Sequence, residues 1–208
     1  MKKIRKNIAI TIMGLCASII LSFSSVAQMN FALGPKVGLE LNSFRGTGQI
    51  DAKASWVKGL FINLQPGTFI TFQPELVLIH KQAIQTKNDI RNNIDIVCFE
   101  FPALAKFKIS INNIYFPHLL IGSNIAYNIH SNISATDTQT GKVINTNSGN
   151  IRKVDIGCIA GAGIDVQNEW SFFTFDVRYG FGFNNIGENL NNAGWSVSLG
   201  VGELFRGK

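Results

Sequence analysis

The stretch Phe173-Thr174-Phe175-Asp176-Val177-Arg178-Tyr179-Gly180-Phe181-Gly182-Phe183 carries a large apolar residue at every second position. A period of two is the period of a β-strand, so the segment has one greasy face and one face of small, polar and charged residues. Four phenylalanines and a tyrosine need a broad apolar partner, either a protein core or the hydrocarbon of a bilayer. The rest of the chain decides between them.

Seven other segments alternate in the same way. They fall at residues 30–44, 57–65, 69–81, 94–109, 114–129, 153–167 and 194–205. In the first, Phe31, Leu33, Val37, Leu39 and Leu41 oppose Ala32, Gly34, Lys36, Gly38, Glu40 and Asn42. In the segment at 153–167, Val154, Ile156, Ala160, Ile164 and Val166 oppose Asp155, Gly157, Gly161, Gly163 and Asp165. The connections sort by length. Short ones lie at Pro66-Gly67-Thr68, 110–113 and 168–170, and long polar ones are expected at 45–55, 82–93, 130–152 and 184–193. Short turns at one end and long loops at the other mark an outer-membrane barrel, whereas a soluble sandwich has no reason to sort its loops.

The reverse face supports lipid over core. A soluble barrel would wet that face with Lys, Glu, Ser and Thr. Here it is rich in glycine, and only 15% of the whole chain is charged. Small residues suit the crowded inside of a narrow barrel, where side chains fill the lumen. The apolar faces have the ~9–11 residues that a tilted transmembrane strand needs. Aromatics stand near their ends, at Tyr127, Trp170, Phe183 and Trp195, as interfacial girdles require. The expected fold is all-β, an eight-stranded antiparallel up-and-down transmembrane β-barrel in contact with outer-membrane lipid.

Lys2, Lys3, Arg5 and Lys6 precede an apolar run from Ile8 to Leu21, and Ser25-Val26-Ala27 fits a small-x-small cleavage pattern. Residues 1–27 are therefore expected to be a signal peptide, and 28–208 the barrel domain. Without those four basic residues, the 19 Lys+Arg against 13 Asp+Glu of the full chain become 15 against 13. No basic cluster interleaves with aromatics, so nucleic acid is not an expected partner. Cys98 and Cys158 fall on opposite faces of their strands, which opposes a disulfide between them.

Four stretches carry a family likeness. Gly34-Pro35-Lys36-Val37-Gly38-Leu39, Phe72-Gln73-Pro74-Glu75-Leu76, Glu100-Phe101-Pro102-Ala103-Leu104-Ala105-Lys106 and Gly161-Ala162-Gly163-Ile164-Asp165 occur in that order. Together they resemble the PorT-like outer-membrane β-barrel family of Bacteroidota-type envelopes. The resemblance implies an eight-stranded barrel with no assigned catalytic activity, and one branch of that family is tied to secretion across the outer membrane. Barrel-assembly machinery is the expected partner during biogenesis. The sequence departs from the barrel pattern at Pro35, which interrupts a strand and needs a place where no ladder donor is required, as at a bulge. It departs again at its Phe205-Arg206-Gly207-Lys208 ending, where barrel precursors often end on the aromatic.

The inward face gathers Lys36, Glu40, Glu75, Glu100, Lys106, Asp165, Asp176 and Arg178. Paired carboxylates can serve acid–base chemistry. Charges inside a narrow barrel also need partners, so a luminal ion-pair network that fills the lumen is the expectation. The glycines complete no Gly-x-Gly-x-x-Gly turn, and His80, His118 and His130 lack a Cys, Asp or Glu at metal-ligand spacing, so no cofactor is expected. His130-Ser131 with Glu188 is the thin basis for a lipid hydrolase; a narrow small-solute porin is the other alternative. The longest loop, from His130 to Arg152, is the candidate surface for a protein partner.

Overall fold

The computed structural model describes residues 29–45, 49–87, 90–137, 139, 143–147, 153–187 and 190–207. The expected signal peptide and its cleavage site lie outside them. Nine strands follow in order: β1 Asn30–Arg45, β2 Gln49–Gln65, β3 Ile70–Lys87, β4 Ile90–Lys108, β5 Tyr115–Asp137, β6 Val143–Asn147, β7 Val154–Gln167, β8 Ser171–Gly187 and β9 Leu190–Phe205. Eight of them form the wall of a closed antiparallel barrel. Each pairs with its neighbour in sequence, β5 passes directly to β7, and β9 returns to β1 through a ladder from Phe31↔Phe205 to Arg45↔Asn191. Closure leaves no wall strand with an open edge, which a bilayer demands because lipid cannot satisfy backbone donors and acceptors.

The alternation predicted from sequence sets the two faces. On the outside, Val37, Ile121 and Leu199 are each more than half exposed, as are the girdle tryptophans Trp56, Trp170 and Trp195. The opening stripe belongs to this face: Phe173, Phe175, Val177, Phe181 and Phe183 are all exposed. Tyr179 packs at a tilt against Trp195, ring centroids 5.0 Å apart, near the loop end, and Phe31 stacks on Phe205 at 4.7 Å near the turn end. Cys98 is buried inside, Cys158 sits at the opposite parity, and both are free.

The turn end matches the expectation. Residues 66–69 and 168–170 join their strands tightly, and Asn112 and Asn113 hold φ of 54° and 55° in the third turn. Asparagine visits this left-handed region more readily than other non-glycine residues. The loop end differs from the expectation. Most of 45–55, 82–93 and 184–193 is strand rather than loop, since pairing continues to Lys87↔Ile90 and Gly187↔Leu190. The 130–152 segment also contains strand. β5 runs on to Asp137, and β6 folds back on Ile133–Thr136 as a ninth, short strand outside the barrel wall. Residues 46–48, 88–89, 138, 140–142, 148–152 and 188–189 lie outside the described residues.

Pro35 needs no bulge. Its pairing with Leu60 on β2 is in register, and on the β9 side the ladder skips Gly34 and Pro35 without shifting. The missing donor is accommodated by a local gap in one ladder. A bulge does occur in β5: Val97 pairs with His130 and Cys98 with Asn128, leaving Ile129 as the extra residue.

Candidate functional site

The lumen is lined by even positions of β1, β4, β5, β8 and β9 and odd positions of β2, β3 and β7. All eight luminal charges expected from sequence lie on this face; seven are buried, and Glu40 is half-buried. They form two groups at different heights.

The lower group joins opposite walls. Arg178 on β8 donates from Nη1 to Glu75 Oε2 at 2.8 Å and from Nη2 to Glu75 Oε1 at 2.7 Å, so the fork reaches β3 across the barrel. Lys36 on β1 adds a third donor to Glu75 at 2.9 Å and approaches Asp176 at 3.3 Å. Arg178 also meets Asp176 at 2.6 Å. Nearer the turns, Lys106 on β4 reaches Asp165 on β7 at 3.0 Å and Asp176 on β8 at 3.4 Å, and donates to Thr174 at 2.9 Å. Charges in a dry lumen are tolerable only when paired and hydrogen-bonded in this way; removing one partner of such a pair costs about 3–5 kcal/mol.

Sequence reasoning missed several members. His118 on β5 lies 2.8 Å from Asp176 and 3.6 Å from Asp165, and Lys108 lies 3.7 Å from Asp165. Gln73 donates to Glu75 at 2.6 Å and accepts from Asn63 at 2.9 Å. Among the described residues, His118, Asp165 and Asp176 are the group whose ligand atoms lie close enough to hold a metal ion. They come from three strands, so no spacing in the sequence reveals them. The Lys106 ammonium already stands within ion-pair distance of both carboxylates, which makes the group a salt-bridge centre.

The upper group joins β1, β3 and β4 again, nearer the loop end. Lys81 on β3, also missed, meets Glu100 on β4 at 2.6 Å and Glu40 on β1 at 3.7 Å. Asn124 donates to the other Glu100 oxygen at 2.6 Å. Between the two groups is a cavity of about 60 Å³. Below the lower group, Ala32, Phe61, Phe172 and Leu204 form an apolar cluster at the turn end, with the Phe61 and Phe172 rings 5.7 Å apart. The thin hydrolase set comes apart. His130 and Ser131 are successive strand residues, so their side chains leave on opposite faces, and Glu188 lies outside the described residues.

A closed eight-stranded barrel with an apolar, aromatic-girdled outer face and a packed ionic lumen is an integral outer-membrane β-barrel protein. Residues 23–188 match the family described as outer membrane protein beta-barrel domain, and the chain belongs to that family. Its structure is similar to that of OprG from Pseudomonas aeruginosa, at 14% identity with a TM-score of 0.54, over 86% of this chain and 96% of that one. It is also similar to Neisserial surface protein A, at 12% identity with a TM-score of 0.50, over 85% and 96% of the two chains. At such identities the likeness concerns the fold. No curated protein matches the chain.

Proposed function

We propose that this protein is a non-catalytic barrel with a closed lumen, whose task is structural or partner-binding at the cell surface. The observation that carries this reading is the Glu75–Arg178 fork spanning the barrel above the Phe61–Phe172 floor. A solute would have to break a bidentate buried ion pair and then displace two packed rings. That argues against the narrow porin. The loop end, where β5 and β6 extend the hairpin between 130 and 152, is the part available to a protein partner. The four motifs resemble those of the PorT-like group, one branch of which is tied to secretion across the outer membrane, and that resemblance supports an accessory role in export. A mature start at Gln28 completes the reading.

Refolded protein in a planar bilayer tests it. No single-channel steps are expected at any voltage the bilayer tolerates. Reproducible steps of uniform size would transfer the assignment to a small-solute pore.

A further inference from the structure

From the turn end upward, the outer face of β2 reads Leu64, Ile62, Leu60, Lys58, Trp56. Lys58 breaks an apolar series. It is exposed, and its cross-strand neighbours are Val37 on β1 and Leu78 on β3. Leu60 and Val37 are each 53% exposed on the same face, so the lysine stem leaves the wall within the belt that faces hydrocarbon.

Lys58 also lacks what the other lysines of the wall have. Lys36, Lys81, Lys106 and Lys108 point into the lumen, and each meets a carboxylate. Among the described residues, Lys58 meets none. Asp95, an outward acid at the same end, stands two strands away on β4 and already holds His80 at 2.6 Å and Gln82 at 3.3 Å. An ammonium that starts among hydrocarbon is costly unless its flexible stem carries it up to the interface. The residue next above it on this face is Trp56, 66% exposed, and tryptophan concentrates at the level of lipid headgroups. The charge of Lys58 therefore arrives among headgroup oxygens. Phosphate is the anion a bilayer presents there, and an ammonium binds it as a point charge. Long barrel loops are extracellular, so the leaflet concerned is the outer one.

We propose that Lys58 and Trp56 form a binding site for a phosphate-bearing lipid of the outer leaflet. Lys58 Nζ takes the phosphate, and the indole of Trp56 covers the top of an acyl chain. Val37, Leu60 and Leu78 line the path of that chain below. The site lies on the outer wall and rests on that wall facing lipid; it does not depend on the lumen being closed.

Trp56, Trp170 and Trp195 are the tryptophans of the chain, so Trp170→Phe with Trp195→Phe leaves Trp56 as the sole reporter of the lipid beside it. This variant is refolded into phosphatidylcholine vesicles containing phosphatidic acid with brominated chains, which quench indole fluorescence on contact. Brominated phosphatidylcholine, whose phosphate is neutralised by choline, is the reference. Phosphatidic acid is expected to be selected at Trp56 by about fivefold. Lys58→Gln should bring the ratio close to unity, and Lys58→Arg should retain a preference. Heat-modifiable mobility on gels reports whether each variant is folded. Equal quenching by the two lipids overturns the proposal, as does a preference that survives Lys58→Gln in folded protein. Excess inorganic phosphate should not restore the fluorescence; recovery would assign the site to a free anion. A brominated fatty acid should be selected less strongly than phosphatidic acid, and equal selection would make the site one for any negative charge. Conductance is read separately, so the closed-lumen reading and the lipid site can fail independently.

Discussion

Phe175 carries its meaning through the solvent it faces. It is 40% exposed on the outer wall, paired with Ile164 on one side and Leu199 on the other. Val177 lies two residues further along the same face, paired with Ala162 and Val197. If these side chains face hydrocarbon, a charge introduced at either position is stranded far from both interfaces. Phe175→Arg or Val177→Arg should then destabilise the barrel by about 2–4 kcal/mol in lipid vesicles. Urea unfolding followed by tryptophan fluorescence measures this. The comparison is Trp170→Arg at the turn-end girdle, where about 0–1 kcal/mol is expected. Equal costs at the middle and the edge would mean that the stripe does not lie in the bilayer.

At the scale of the element, glycines decide how strands can approach and what can cross between them. A Cβ on Gly163 of β7 would clash with the Phe175 carbonyl and would lie 2.7 Å from Asp176 Oδ1 and 2.8 Å from His118 Nε2. Gly163 therefore leaves the space in which β5 and β8 exchange the His118–Asp176 hydrogen bond. Gly163→Ala should cost about 1–3 kcal/mol by overpacking, measured as a lower denaturant midpoint. Ala162→Gly, on the lipid side of the same strand, should cost less. The faces of these strands were legible because lipid outside and packed side chains inside impose opposite chemistry on alternate positions. That legibility ends where the strands leave the bilayer. From Gln82 to Lys87 and from Ile90 to Asp95 polar residues occupy both parities, so the stretch reads as loop, although the β3–β4 ladder runs through it unbroken. The charges of the site were legible for the same reason as the strands, through inward parity. Which charge meets which was not. Arg178 and Glu75 are 103 residues apart and on strands that do not pair, and His118 joins Asp176 only once the ring has closed.

For the whole molecule, closure puts the ion pairs where salt cannot reach them. The Lys36, Glu75, Lys106, Asp165 and Asp176 side chains are at most 1% exposed, whereas the His80–Asp95 contact on the loop-end rim is 51% and 41% exposed. Mobile ions screen exposed charges with a Debye length of about 10 Å at 0.1 M salt, and screen buried pairs much less. A barrel held together across its lumen by the Glu75–Arg178 fork and the Lys106 centre should therefore keep its unfolding midpoint as monovalent salt rises from about 0.05 to about 0.5 M. The measurement is the urea midpoint in vesicles of uncharged lipid, with potassium chloride as the variable, so that lipid charge does not enter. Asp95→Asn, which removes the rim contact, should leave both the midpoint and its salt response unchanged, because an exposed pair contributes little. A midpoint that falls steeply with salt would mean that water and ions enter the lumen freely. The ion pairs would then not be the packing that closes this barrel, and the case for a non-conducting protein would lose its physical basis.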